Sequence, residues 1–229
     1  SLSPDIAPAG SFLQDLQVSA DGNTVVIADA SFWRKSPAII VYDVQTGEAR
    51  RVLESHPSVS AEHYMIRNGD REMAFLGGIV ALRGGIAGIA LGPDWLYFGA
   101  LSGSGLYRIR LKDLRDSTLP PGQLANRVER YSDKPLSDGL SLDVDGNVYI
   151  TDIEHSSVFV VSTERELRTL IQSREVRWAD ALSFGPDGYL YLADSALSDL
   201  ILQSREHIDA SGPYRIFRFK PGVEGVPGQ

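Results

Sequence analysis

One pattern recurs four times along this chain: a small or acidic residue, a short apolar run, a tight turn, an aromatic or β-branched run, then Ala, Thr or Gly and usually Asp. Its clearest copy is residues 137–161, SDGLSLDVDGNVYITDIEHSSVFVV. There residues 139–142 read as a first strand, Asp145-Gly146-Asn147 as a turn that tolerates φ > 0, residues 148–151 as the returning strand and 157–161 as a third. Segments 15–29, 86–100 and 180–194 carry the same pattern. Antiparallel strands packed at about forty residues per unit match the size of a propeller blade. The expected fold is therefore all-β, a single β-propeller domain over residues 1–229 with blades beginning near residues 12, 86, 138 and 180.

Three stretches depart from the pattern. Residues 64–67 and 72–75, joined through Asn68-Gly69-Asp70, read as an inserted hairpin, since Asn-Gly is a strong hairpin signal. Residues 111–115 read as one helical turn ahead of a Pro120-Pro121-Gly122 break. Residues 197–207 place Leu197, Leu200, Ile201 and Ser204 on one face at helical spacing.

The chemistry is bounded by what the chain carries. A formal charge of −8 over 229 residues, with no basic patch, argues against a nucleic-acid partner and favours cationic or neutral ligands. With no cysteine there is neither a disulfide nor thiol chemistry. No apolar run reaches the roughly 20 residues of a membrane span, because the longest, residues 76–91, is broken by Arg83 and several glycines. Residues 102–105, Ser-Gly-Ser-Gly, lack the spacing of a nucleophile elbow. His56, His63, His155 and His207 show no zinc-binding spacing.

Blade geometry turns the repeat into a candidate site. In an antiparallel blade the start of the first strand and the end of the second lie at the same rim. Asp15, Asp138 and Asp180 are thus expected to share a rim with Asp29, Asp152 and Asp194, joined by Glu154 and His155. Such crowding raises carboxylate pKa values through like-charge repulsion, and a divalent cation such as calcium on Asp15, Asp138 and Asp180, or an organic ammonium, would relieve it. Each aspartate also admits a structural reading, as an acceptor for loop N–H groups. Trp178 and Trp33, next to Asp180 and Asp29, are expected to wall the mouth and offer π-faces to a cation, while Trp95 reads as packing. Asp21, Asp145 and Asp187 belong to turns at the opposite rim.

The run Ile39-Ile40-Val41-Tyr42-Asp43-Val44-Gln45-Thr46-Gly47, then Gly88-Ile89-Ala90-Leu91 with Leu96-Tyr97-Phe98 and Leu101-Ser102, Leu114-Arg115-Asp116, and Ala179-Asp180-Ala181-Leu182 before Tyr191-Leu192-Ala193-Asp194, resembles the major royal jelly protein/yellow family. The resemblance implies a six-bladed propeller, extracellular or periplasmic, with a ligand pocket at one end of the channel; members include biogenic-amine binders and proteins proposed to convert dopachrome. The chain is then read as the C-terminal part of a bacterial-type member, with the remaining blades supplied by sequence outside it. Three functions follow as expectations: a propeller holding a small cationic or aromatic molecule at the acidic rim, a metal-dependent lactonase-like hydrolase of the gluconolactonase kind, and a protein-interaction scaffold using the inserted hairpin and helix.

Overall fold

The computed structural model describes residues 2–229. Four antiparallel sheets follow one another along the chain, each strand paired with its sequence neighbour in the sheet. Blade 1 is β1 (Leu13–Val18), β2 (Thr24–Asp29), β3 (Ala38–Asp43) and β4 (Ala49–Val52). An insertion follows, with two small ladders: β5 (Arg67–Asn68) with β6 (Arg71–Glu72), and β7 (Ala74–Phe75) with β8 (Val80–Ala81). Blade 2 is β9 (Ile86–Leu91), β10 (Trp95–Ala100), β11 (Gly105–Arg110) and β12 (Glu129–Asp133), with α1 (Leu111–Arg115) and α2 (Pro121–Ala125) before its last strand. Blade 3 is β13 (Leu140–Leu142), β14 (Val148–Asp152), β15 (Ser157–Val161) and β16 (Leu167–Gln172). Blade 4 has three strands, β17 (Ala179–Phe184), β18 (Leu190–Asp194) and β19 (Arg215–Phe219), with α3 (Leu197–Leu200) and α4 (Arg205–Ala210) ahead of the last. The all-β propeller arrangement expected from the repeat is what the chain adopts.

Three local expectations are corrected. Pro121 opens a helix instead of ending one, because at the first helical position its missing N–H has no partner to lose. The helix expected over residues 197–207 is two short helices. Ser204, read as part of its apolar face, is instead the cap of α4, where its Oγ accepts the His207 N–H at 3.2 Å. In the insertion Asn68 pairs with Arg71 around a two-residue Gly69-Asp70 turn, and the second ladder was not foreseen.

The innermost strands stand side by side in the order β1, β9, β13, β17. Between blades 1 and 2, Val26, Ile39, Val41, Leu96, Phe98 and Leu114 pack into one cluster; equivalent clusters fill the next two interfaces. Each fully buried aliphatic or aromatic side chain there contributes about 1.5–3 kcal/mol. Close approach of the inner strands depends on two glycines. A Cβ on Gly88 would stand 2.7 Å from the Asp138 carbonyl oxygen, and one on Gly139 would stand 2.4 Å from that of Asp180. Far from the insertion, the tail crosses under the channel. Val226 N–H donates to Leu142 O (2.9 Å), Phe184 N–H to Gln229 O (2.7 Å), and Leu91 N–H to the Gln229 carboxamide (2.7 Å), whose Nε2 donates to Gln17 (2.7 Å).

Candidate functional site

Four equivalent hydrogen bonds align the blades at the insertion end: Ala30, Leu101, Ile153 and Ser195 N–H donate to the carbonyls of Phe12, Gly85, Leu136 and Trp178. Just past each lies a bulge in the pairing of the first two strands, explicit where Leu13 pairs with Asp29 but Asp15 with Ala28, and where Ala179 pairs with Asp194 but Ala181 with Ala193. The residues at the bulge are Gln14, Ala87, Asp138 and Asp180. Asp15 is one position further on, equivalent to Gly88, Gly139 and Ala181. The repeat pattern alone sets Asp15 level with Asp138 and Asp180, and the bulge corrects it.

That single step changes what Asp15 does. Its position faces the inner strand of the next blade, and its carboxylate accepts the Ile89 N–H (2.9 Å) and the Leu16 N–H (2.7 Å). Gln17, two residues on, donates to the Ile89 carbonyl (3.3 Å). Two side chains thus pair with the free edge of β9 where a strand would otherwise be needed. Burial still pushes the Asp15 carboxyl up to about 6, against the pull of these N–H groups.

Asp138 is the point where three blades meet. Gln14 of blade 1 donates to it across the mouth (3.1 Å), and the Trp178 indole N–H of blade 4 donates at 2.9 Å. Its carboxyl is pushed up to about 7, first by burial and then by the neighbouring Asp180 and Asp15. Asp180 is raised too, by burial and by Asp194, with the Ser195 hydroxyl opposing. No Lys, Arg or His among the described residues stands within ion-pairing distance of either carboxylate. A cation the sequence reading missed lies in the same buried neighbourhood. Lys134 is 5% exposed and its Nζ donates to the carbonyls of Ala100 (2.8 Å) and Pro135 (3.0 Å) rather than to a carboxylate. Burial pulls this ammonium down to about 7, opposed by Glu62, Asp138 and Asp152. Nothing in the short linker Lys134-Pro135-Leu136 signals this in the sequence.

The carboxylates at the ends of the second strands are differently placed. Asp29 accepts the Phe12 (2.8 Å) and Ser31 (3.0 Å) N–H groups and pairs with Arg51 at 2.8 Å. Asp194 accepts N–H groups from Trp178 (2.8 Å) and Arg177 (3.1 Å) and pairs with the Arg177 guanidinium at 3.0 Å. Asp152 accepts the Glu154 N–H (2.9 Å) and meets His155 Nδ1 at 2.9 Å, the imidazole itself being exposed. Glu154 accepts the Arg67 N–H at 2.6 Å and so fastens the insertion to the rim. Asn68 completes that attachment, donating to Ile153 O (2.5 Å) and Arg177 O (2.6 Å).

Trp178 is not a wall of the mouth. It is fully buried, packed with Ile66 and Met73 of the insertion and with Leu101, Leu136 and Ile153, so its π-face is closed to ligands and its role here is to hold Asp138. Trp33 is 81% exposed, and Trp95 lies under the guanidinium groups of Arg108 (4.1 Å) and Arg110 (4.3 Å). Among the described residues no three acidic or histidine side chains converge closely enough to hold a metal ion, so Asp15, Asp138 and Asp180 by themselves do not make the calcium site expected of them. Asp21 and Asp187 serve their turns: Asp21 accepts from Ser19 (2.6 Å) and Asn23 N–H (3.1 Å), Asp187 from the Tyr191 hydroxyl (3.0 Å). Asp145 lies in the corresponding β13–β14 loop, where its neighbour Asp143 makes the bonds, to Asn147 N–H (2.8 Å) and the Tyr149 hydroxyl (2.9 Å).

The family model for major royal jelly protein matches residues 1–184. This chain belongs to the major royal jelly protein family. No curated protein sequence matches it. Solved propellers share its fold at low identity: a luciferin-regenerating enzyme (TM-score 0.60, 11% identity, 96% of this chain and 65% of that one), a gluconolactonase from Xanthomonas campestris (0.52, 14%, 80% and 55%) and a streptogramin B lyase (0.52, 14%, 80% and 48%). This chain spans about half to two-thirds of the length of these structures.

Proposed function

We propose that this chain supplies the ligand-holding blades of a small-molecule-binding propeller, in which Asp138 and Asp180 receive a cationic, amine-bearing ligand at the insertion end of the channel. The observation that carries this reading is the contrast at one rim. Asp29 and Asp194 each have an arginine and Asp152 has a histidine, whereas Asp138, held by the neutral Gln14 amide and Trp178 indole, and Asp180 have no ion-pair partner among the described residues and are raised by burial and by neighbouring carboxylates. An ammonium between them would satisfy both carboxylates and remove the repulsion. An aromatic amine suits the half-buried surroundings better than a divalent metal, which needs a third ligand that these residues do not bring together. The lactonase-like alternative rests on the metal and is the weaker of the two. The apolar side of β1, with Leu13, Leu16 and Val18 exposed, supports further blades packing there to complete a six-bladed ring.

Calorimetry with phenethylamine and, separately, calcium chloride tests the reading. The protein is expected to bind the amine, and Asp138→Asn/Asp180→Asn to bind it roughly tenfold or more weakly, since each charge-assisted contact contributes about 1.5–3 kcal/mol. Equal amine binding by both proteins would overturn the assignment. Calcium binding lost in the double variant would instead establish the metal-dependent alternative.

A further inference from the structure

Asn68-Gly69 is the one Asn-Gly step in the chain, since Asn23, Asn126 and Asn147 are followed by Thr24, Arg127 and Val148. The distinction is chemical. The backbone nitrogen after an asparagine can attack the side-chain carboxamide, and any side chain on the attacking residue hinders the approach. Around Gly69 the way is open. No atom outside its chain neighbours lies within 4 Å of where its Cβ would stand, its φ is +59°, and Gly69 and Asp70 are both exposed to water. Among the described residues the Gly69 N–H has no acceptor and the Asn68 carboxamide oxygen no donor.

The same asparagine latches the insertion to the rim. Its Nδ2 donates to Ile153 O (2.5 Å) at the end of β14 and to Arg177 O (2.6 Å) ahead of β17, beside the Glu154 carboxylate that accepts the Arg67 N–H (2.6 Å). The latch needs a donor, because both partners are carbonyl oxygens. Little else holds the insertion in shape. The β5–β6 and β7–β8 ladders are two residues long, too short to stand alone, and its fully buried apolar side chains are Ile66 and Met73.

We propose that Asn68-Gly69 is a deamidation site, and that its conversion releases the insertion from the rim. The Gly69 nitrogen bonds to Asn68 Cγ, the amide nitrogen leaves as ammonia with the Gly69 proton, and one water opens the cyclic imide to aspartate or isoaspartate. No oxidant or further reactant enters. While both hydrogen bonds hold, the carboxamide is kept at the rim, so the reaction proceeds from openings of the latch. Either product prevents its closing. Aspartate sets a carboxylate against two carbonyl oxygens and next to Glu154, and isoaspartate adds a backbone carbon at the two-residue turn between β5 and β6. The blades, whose packing does not pass through Asn68, stay folded. The inference is independent of the amine reading.

Peptide mapping by mass spectrometry, during incubation of the intact protein in mildly alkaline buffer, tests the chemistry. Asn68 is expected to convert before Asn23, Asn126 and Asn147, giving both products. Amide hydrogen exchange tests the consequence. In the converted protein and in Asn68→Asp, the N–H groups of Arg67, Met73 and Leu82, which bond Glu154, Ile66 O and Met73 O, should exchange roughly tenfold or more faster than in fresh protein, with those of β14 and β15 unchanged. Should Asn68→Asp fail to fold, the converted wild-type protein carries the test. Asn68 remaining intact, or converting no sooner than the other three asparagines, overturns the proposal. So does unchanged exchange in the insertion once Asn68 is converted, which would mean that the contact to Ile153 and Arg177 is no latch.

Discussion

Two rows of aspartates share one rim of this propeller, and they are opposites. Asp29, Asp152 and Asp194 close the second strands and are held by loop N–H groups together with Arg51, His155 and Arg177. Asp138 and Asp180 sit at the bulges of the first strands, a few residues away, with no cation paired to them. The outer row fastens loops; the inner row has no ion-pair partner, and burial together with neighbouring carboxylates raises its pKa values. Local register decides between the two, since a bulge residue is left out of the strand ladder, and there the Asp138 carboxylate meets the Gln14 and Trp178 side chains instead of backbone N–H groups. Asp15 shows how narrow the margin is. One residue past the bulge, its carboxylate reaches a backbone N–H of the next blade and becomes a clip.

The largest effect that would break this comparison is expected in the outer row. Asp29→Ala leaves the buried Arg51 with only the more distant Glu54 carboxylate (3.5 Å) and two backbone N–H groups unsatisfied, and should cost about 3 kcal/mol in urea denaturation. A loss below about 1 kcal/mol would mean that the outer row is not a set of fasteners. Next in size is Gly139→Ala. The added methyl meets the Asp180 backbone, so blades 3 and 4 must separate, at a cost of about 1–3 kcal/mol. The same separation should lower the Asp138 pKa, because Asp180 moves away. Unchanged stability and an unchanged pKa would contradict the role given to that close approach.

The smallest effect carries the opposite sign. Asp138→Asn keeps the Trp178 hydrogen bond, and Gln14 can turn its amide to accept from the new side chain, so at pH 8 the variant should be as stable as the wild-type or about 1–2 kcal/mol more stable. The pH dependence follows from the raised carboxyl. Between the unfolded value of 3.8 and the folded value of about 7 the native state holds a proton that the unfolded state has lost, so Asp138 lowers stability progressively as pH rises through that window. The variant's advantage should therefore be full above pH 7 and gone below about pH 4. An advantage that grows toward low pH would reverse the sign of the argument.

The blades were legible because alternation and Asp-Gly or Asn-Gly turns are local, and β1, β2, β9, β10, β14 and β18 begin and end within a residue or two of where the pattern puts them. What could not be read was non-local. A bulge adds one residue without altering local composition, so Asp15 was set level with Asp138 and Asp180. Trp178 reads as a mouth residue from sequence because nothing there announces that Ile66 and Met73, more than a hundred residues earlier, cover it. Lys134 gave no sign at all, since its burial comes from the folding of the insertion and blade 2 around it. Glu154 and Asn68 acquire their roles only through contacts between segments far apart in the chain.

The central claim, that one rim holds a compensated and an uncompensated row of carboxylates, is tested most directly by carbon-13 NMR titration of the aspartate side-chain carboxyls, with Asp138 and Asp29 assigned through their Asn variants. The account predicts an Asp138 midpoint near 7 and an Asp29 midpoint below the ordinary carboxylate value, held down by Arg51 and the Phe12 N–H against the cost of burial. Asp138 titrating with ordinary aspartates near pH 4 would contradict it, because the inner row would then carry no unrelieved charge for a cation to meet.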